Sequence, residues 1–356
     1  MKLRKIALIA LCSATCFLSC NKDDDNDIPA PVEDRDRDEQ QVEDKADLLE
    51  YFATHYYNSS EFEALTNPTI NDLKITKLVE GTTPPADGTL LEKLLEGDAP
   101  MLETKTVVFA DTNYEYYILR LKNGTGNESP TFADNVVVVY EGFTLDDAVF
   151  DSAVNPTGFD LIGDGTNINP GTIEGWKLAL PNFNVAEGFD ENDDGTISFY
   201  NQGIGVMFMP SGLAYFSSSR TGIPAYSPII FKFELLQMSQ NDHDNDGVPS
   251  YLEDLNKDGI LLSIDDNTDG DSLPDYLDND DDGDGVLTIN ELERITYTVN
   301  TNLGEEEPVL DEKNEFEIER SDDAGVITIK TLKIVDSDNN GDGDYLDKDI
   351  TTNYNK

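Results

Sequence analysis

The sequence predicts an α+β fold, in which an antiparallel sheet wraps one short helix, followed by an aspartate-rich tail of a different kind. Three observations lead there. Apolar and β-branched runs recur between Thr106 and Leu236, a single stretch among them carries helical spacing, and after Ser239 the composition changes abruptly to Asp, Asn and Gly. Many strands with one helix on one face define an α+β domain. A segment with so little apolar surface must be ordered by something other than burial.

Residues 1–19 read as an export signal: basic Lys2-Leu3-Arg4-Lys5, an apolar run from Ile6 to Leu18, then Leu18-Ser19-Cys20. The run falls short of the roughly 20 apolar residues that span a bilayer. Cys12, Cys16 and Cys20 are the only cysteines, so no disulfide or thiolate metal site can hold the folded part together. Residues 20–45 are charged, with Pro29 and Pro31 and few large apolar side chains, and predict an acidic disordered tether. Residues 46–114 form an N-terminal extension. Within it Leu48, Leu49, Phe52 and Tyr56 recur at helical spacing and predict a helix over Asp47–Tyr57, while the stretch from Ile70 to Lys105 gives mixed signals. Strands are predicted at Thr106–Ala110 and at Tyr114–Leu121, the latter ending at the turn signal Asn123-Gly124-Thr125-Gly126. Val136–Tyr140, Gly203–Met209 and Ile229–Leu236 are further strands, and Ile173, Trp176 and Leu180 place one amphipathic helix in Gly171–Leu180. Gly325–Val335 alternates with β-branched residues, which predicts a last strand in a small hairpin.

Charge narrows the partners. With 73 acidic against 24 basic residues the formal net charge is -49, which excludes nucleic acid and anionic membrane surfaces as natural partners and points to cations. No P-loop, Rossmann or hydrolase signature is present.

Five segments of residues 115–239 carry a family likeness: Val136 to Gly142, Phe150-Asp151-Ser152, Ile173-Glu174-Gly175-Trp176, Pro210 to Tyr215, and Ile223-Pro224 followed by Ile229 to Leu236. In order and nearly in spacing they resemble the FKBP-type peptidyl-prolyl cis/trans isomerases. The resemblance implies a domain that acts on X-Pro bonds of exported polypeptides and needs no cofactor for catalysis. Rotation about a peptide C–N bond must overcome about 18–20 kcal/mol, and X-Pro exchange takes tens to hundreds of seconds unaided. A dry aromatic pocket favours the twisted, less dipolar transition state over the planar ground state, which is catalysis by differential binding.

By the same resemblance Tyr140, Phe150, Phe159, Trp176, Ile223 and Phe231 would line the substrate pocket, with Trp176, the only tryptophan, as its floor. Asp151 would hold its carboxylate at the rim, and the Tyr215 hydroxyl and Ile173 backbone N–H would hold a substrate carbonyl. The plainer reading is core packing for the aromatics and a capping carboxylate for Asp151. Two departures stand out: Phe216 where the family has glycine, and a long stretch Asn182–Gly203 containing Asp190 to Gly195, which would bind calcium or shape substrate access. A non-catalytic chaperone that grips proline segments, or a calcium-stiffened surface adhesion module, is the alternative function.

At the other end of the chain, Leu18-Ser19-Cys20 resembles a bacterial lipobox, which implies lipidation (palmitate) at Cys20 and a lipid anchor in the outer membrane. The acidic residues after Cys20 resemble the surface-export signal of Bacteroidetes-type lipoproteins; a solvated linker is the other reading.

Between residues 240 and 296 oxygen-bearing side chains alternate at the spacing of calcium loops, in which hard oxygens fill alternate positions and a carboxylate closes position 12. Asp242, Asp244, Asp246, Gly247, Ser250 and Glu253 fit one loop, and Asp280, Asp282, Asp284, Gly285, Thr288 and Glu291 fit a second. Looser copies start at Asp254 (with Asn256, Asp258, Gly259 and Asp265) and at Asn267 (with Asp269, Asp271, Asp275 and Asp278). A distant copy in residues 297–356 runs from Asp336 through Asp338, Asn340 and Asp344 to Asp347. The abutting loops, with Tyr-Leu-Asp/Glu at their ends, resemble thrombospondin type 3 repeats, which implies structural Ca2+; a disordered solubilising tail would not keep a period of about 13 residues. His243, between ligand positions, is expected to face solvent.

Overall fold

The computed structural model describes residues 33–79, 81–82, 86–97, 101–311 and 313–356. The expected signal peptide, Cys20 and the first part of the tether lie outside the described residues. The chain divides into residues 1–35 and residues 36–356, and all the helices and strands described belong to the second unit.

Helix α1 spans Arg37–Thr54. The Asp36 carboxylate caps it by accepting from the Glu39 backbone N–H at 3.0 Å, and Asp38 and Glu39 in the first turn suit the positive end of the helix dipole. It therefore starts inside the stretch expected to be a tether. The reason is that its first turns dock by polar contacts, which a search for apolar periodicity overlooks: Gln40, Gln41 and Asp44 are all buried, and Lys45 pairs with Glu115 at 2.7 Å.

Six strands make the main sheet: β1 (Leu102–Phe109), β2 (Thr112–Asn123), β3 (Asn135–Thr144), β4 (Val149–Asp160), β7 (Gly203–Met209) and β8 (Ile229–Ser239), in the order β1-β2-β7-β8-β3-β4 with every pairing antiparallel. Between β4 and β7 lie helix α2 (Glu174–Ala179) and a hairpin of β5 (Gly188–Glu191) and β6 (Ile197–Tyr200).

The sheet carries a core on each face. On one side Met207, Met209, Phe231, Phe233 and Leu235 pack with Trp176, Ala179 and Leu180 of the α2 region. On the other, Ile204, Val206, Phe208 and Ile230 pack with Leu48, Tyr51 and Phe52 of α1. Strand residues alternate between faces, so β7, buried along its whole length, reads as a continuous apolar run. Gly205 has no side chain because a Cβ there would come within 2.5 Å of Phe183 and 2.9 Å of Phe233. Each large apolar side chain buried this way contributes about 1.5–3 kcal/mol.

The α+β architecture is as predicted, with the Asp-rich region following the sheet. That region is ordered as turns and short helices, and it packs on the domain through Leu261 and Tyr276 against Ala133, Phe132 and Ile162. His243 corrects the expectation of a solvent-facing ring. Its side chain is 7% exposed, with Nε2 3.2 Å from the Asp160 carboxylate and the ring edge-on to Tyr276 at 5.2 Å. The expected last strand belongs to a three-stranded antiparallel sheet of β9 (Glu293–Asn300), β10 (Glu315–Asp323) and β11 (Val326–Lys333), with β11 in the middle. A second small core, Val248, Leu292, Leu332 and Tyr345, ties that sheet to the acidic loops.

Candidate functional site

An open cleft of about 670 Å3 lies on the α2 side of the sheet. Tyr140 of β3, Asp151 and Phe159 of β4, Ile173 and Trp176 of the α2 region, Tyr215 of the loop after β7 and Phe231 of β8 all line it. Trp176, 4% exposed, touches edge-on or tilted with Tyr140, Phe159 and Phe231 at centroid distances of 5.7, 5.6 and 4.9 Å. Such ring pairs add about 0.5–1.5 kcal/mol each beyond burial.

At the rim the Tyr140 hydroxyl donates to Asp151 Oδ2 at 2.9 Å. Burial, reinforced by that carboxylate, pushes the Tyr140 phenol up to about 12, so it stays a donor at any physiological pH. Burial also raises Tyr215, against the opposing pull of the Arg220 guanidinium, which lies 5.2 Å from the Tyr215 ring centre. Ile173 has extended backbone at the residue before α2.

Two expected pocket residues stand behind the wall. Phe150 backs Phe231 edge-on at 5.4 Å, where Gly142 leaves room for both rings. Ile223 is buried in the core and pairs with Arg220 through both backbone groups. A β-bulge explains Phe150: it is the extra residue between the pairs Gly142–Asp151 and Phe143–Val149, so the ladder loses its alternation there and the ring tucks behind Phe231 while Asp151 reaches the cleft. The sequence reading missed Phe109, Arg220 and the turn Pro170 to Thr172, which also line the cleft; no motif marks them. The acidic turn Asp190 to Gly195 forms the tip of the β5–β6 hairpin and supplies no lining residue and no acidic cluster among the described residues.

Among the described residues the tail forms four acidic clusters, the ligand atoms of each within 4.8 Å of one another: Asp244, Asp246, Glu253 and Asp281; Asp254, Asp258 and Asp266; Asp269, Asp271 and Asp278; and Asp280, Asp282 and Asp284. In the first, both carboxylate oxygens of Glu253 and of Asp281, and one each of Asp244 and Asp246, are buried without a hydrogen-bond partner. Burial and mutual repulsion push all four carboxyls up. Isolated buried carboxylates cost several kcal/mol, and a cation between them removes that cost. An all-oxygen donor set suits a hard divalent ion. These residues therefore fit such an ion.

The clusters revise the expected ligand set. Asp281 joins the first cluster from the neighbouring loop, a position that alternate spacing skips. Asp266, buried, replaces Asp265, which is exposed. Asp242 instead accepts from the backbone N–H groups of Asp246 and Gly247 at 3.2 and 3.0 Å, shaping the turn. Asn256 and Asn267 likewise accept from the backbone N–H groups of Asp258 and Gly270. Asp275 accepts from Thr268, and Thr288 is hydrogen-bonded to Asp246 of the first loop. Glu291 is buried beside the fourth cluster, where burial and the repulsion of Asp282, Asp284 and Asp280 push it up to about 8. Asp336, Asp338, Asp344 and Asp347 form no such cluster among the described residues.

Residues 243–315 match the family model described as BamM C-terminal, a span that covers the acidic loops and β9. No curated protein matches the chain. Among solved structures, a peptidyl-prolyl cis-trans isomerase from Pseudomonas syringae pv. tomato is similar at 23% identity and a TM-score of 0.29, over 40% of this chain and 84% of that one. FkpA from Escherichia coli is similar at 25% identity and a TM-score of 0.29, over 40% of this chain and 53% of that one. No helix among the described residues is long and apolar enough to cross a membrane.

Proposed function

We propose that the chain is a peptidyl-prolyl cis/trans isomerase acting on X-Pro bonds of exported polypeptides at the cell envelope, anchored by a lipid on Cys20. The observation that carries this reading is the cleft itself: one buried indole in contact with Tyr140, Phe159 and Phe231, with a Tyr140–Asp151 pair and Tyr215 at the rim. A proline ring fits over Trp176, and the surrounding apolar walls exclude water from the amide as it twists. The twisted amide has lost resonance and much of its dipole, so this environment favours it over the planar form. Tyr215 donates to a substrate carbonyl from the rim, beside the backbone of Ile173, and the Asp151 carboxylate fixes the Tyr140 hydroxyl. No covalent step is required.

For the tail we assign calcium, held by the first cluster and its three companions, as a structural ion. Their oxygen-only donors support this choice, as does the repeating loop. The export signal and the cysteine at its end support the envelope location.

The test is the cis/trans exchange rate of a short X-Pro peptide, followed by NMR, with the purified chain lacking residues 1–19. Acceleration is expected, with kcat/KM reduced about tenfold or more by Trp176→Ala and less by Asp151→Ala. Equal rates with wild type, both variants and buffer alone would remove the enzyme claim. Tight peptide binding without acceleration would replace it with the proline-gripping chaperone.

A further inference from the structure

The loop between β7 and β8, residues 210–228, supplies Gly212, Ala214, Tyr215, Ser218 and Arg220 to the cleft. Its backbone turns through an unusual conformation at Phe216, with φ of +46°, a left-handed region that glycine enters freely and a β-carbon disfavours. This is the position where the resemblance calls for glycine. Phe216 holds the conformation from outside: its N–H donates to the Ser211 carbonyl at 2.8 Å, and its carbonyl accepts from the Tyr226 N–H at 2.6 Å. Its ring lies edge-on to Tyr226 at 5.1 Å and under the Arg37 guanidinium at 4.1 Å.

Arg37 comes from α1, on the far side of the sequence. The same guanidinium donates to the Tyr114 hydroxyl at 2.9 Å and to the Gly212 carbonyl at 3.4 Å. Two turns of helix further on, Asp44 is fully buried. Its Oδ2 accepts from both the backbone N–H and the hydroxyl of Ser211, at 2.7 and 2.6 Å, and its Oδ1 accepts from Gln40 at 2.8 Å. A buried carboxylate with three short donors is a strong tether.

We propose that α1 is a positioning element of the cleft: Asp44 grips the start of the loop, Arg37 holds Phe216 in its left-handed turn, and together they set the place of Tyr215. Arg37 and Asp44 touch no substrate; they act through Ser211, Gly212 and Phe216. The pair Arg37–Phe216 does here what an unaided glycine would do.

The effect on turnover rests on the isomerase reading, whereas the effect on the loop does not. Backbone amide exchange of residues 211–220, read by mass spectrometry on the full chain, is therefore measured beside the peptide assay. Asp44→Ala is expected to speed exchange there about tenfold or more, with Asp44→Asn, which keeps an acceptor, recovering most of it. Arg37→Ala should loosen the same segment and lower kcat/KM. In a Phe216→Gly background Arg37→Ala should then change exchange by less than about twofold, since glycine needs no clamp. If Asp44→Ala does not fold, the Arg37 and Phe216 cycle decides alone. Unchanged exchange across 211–220 in Arg37→Ala, or equal effects of Arg37→Ala with and without Phe216→Gly, overturns the proposal. Loosened exchange in a wild-type background that shows no isomerase activity upholds it and removes the enzyme reading instead.

Discussion

The sheet domain and the acidic tail are ordered by opposite means. In the domain, aromatic and aliphatic side chains fill both faces of one sheet, and the buried carboxylates of Asp44, Asp134 and Glu234 find partners, Glu234 in the Ile70 N–H and the Gln202 amide. In the tail, the innermost side chains of the first loop are carboxylates with oxygens that have no partner. The first kind of core is complete within the chain; the second requires a positive charge from solution. Calcium should therefore alter one region and leave the other as it was.

Four measurements put that contrast at risk. The largest effect is expected in the domain: Phe208→Ala, in the core under α1, should cost about 3–5 kcal/mol of stability with or without calcium. Calcium dependence of that loss would mean the regions are not separate in this way. Next, calcium at a hundredfold excess over its Kd should add about 2.7 kcal/mol to the stability of the tail, read as a rise in its melting transition, while the emission of Trp176 stays constant. Third, Glu253→Gln should change sign with conditions. Without divalent ions it removes the cost of burying an ionisable carboxyl among others and stabilises the tail by about 1–3 kcal/mol; with calcium it removes a ligand and destabilises it. The same sign in both conditions would argue against a cation at the first cluster.

The smallest effect concerns pH. Asp282 is pushed up to about 6 and Glu291 to about 8, by burial first and neighbouring carboxylates second. Because the folded tail then holds protons that the unfolded chain has lost, its cation-free stability is greatest at pH below the ordinary carboxylate values of 3.8 and 4.5 and falls as pH rises toward about 8. Calcium should reverse the slope, since ligands bind deprotonated. Parallel slopes with and without calcium would contradict this.

How much was legible depends on what each segment buries. β7 and β8 were plain in the sequence because apolar side chains meet a core on both faces. β4 was not, since it is an edge strand, largely exposed and interrupted by Pro156. The start of α1 was hidden because Gln40, Gln41 and Asp44 dock through hydrogen bonds rather than apolar contacts. In the site, Tyr140, Phe159, Trp176, Tyr215 and Phe231 converge on one cleft, while Phe150 and Ile223 sit one layer back. Loop spacing foretold most of the clustered carboxylates, but a ligand contributed by an adjacent repeat, such as Asp281, breaks the alternation on which that reading relied.

The doubly covered sheet has a consequence for how such a protein can change. Along β7, Val206 and Phe208 belong to α1 and Met207 and Met209 to the cleft side, so deleting one residue would send each side chain to the wrong neighbour at once. Lengthening is tolerable only beyond the strand ends, and the β5–β6 hairpin, which precedes β7, occupies such a place. Insertions in kindred chains should gather at these corners, and a scan of single-residue deletions should find the middle of β7 the least forgiving stretch.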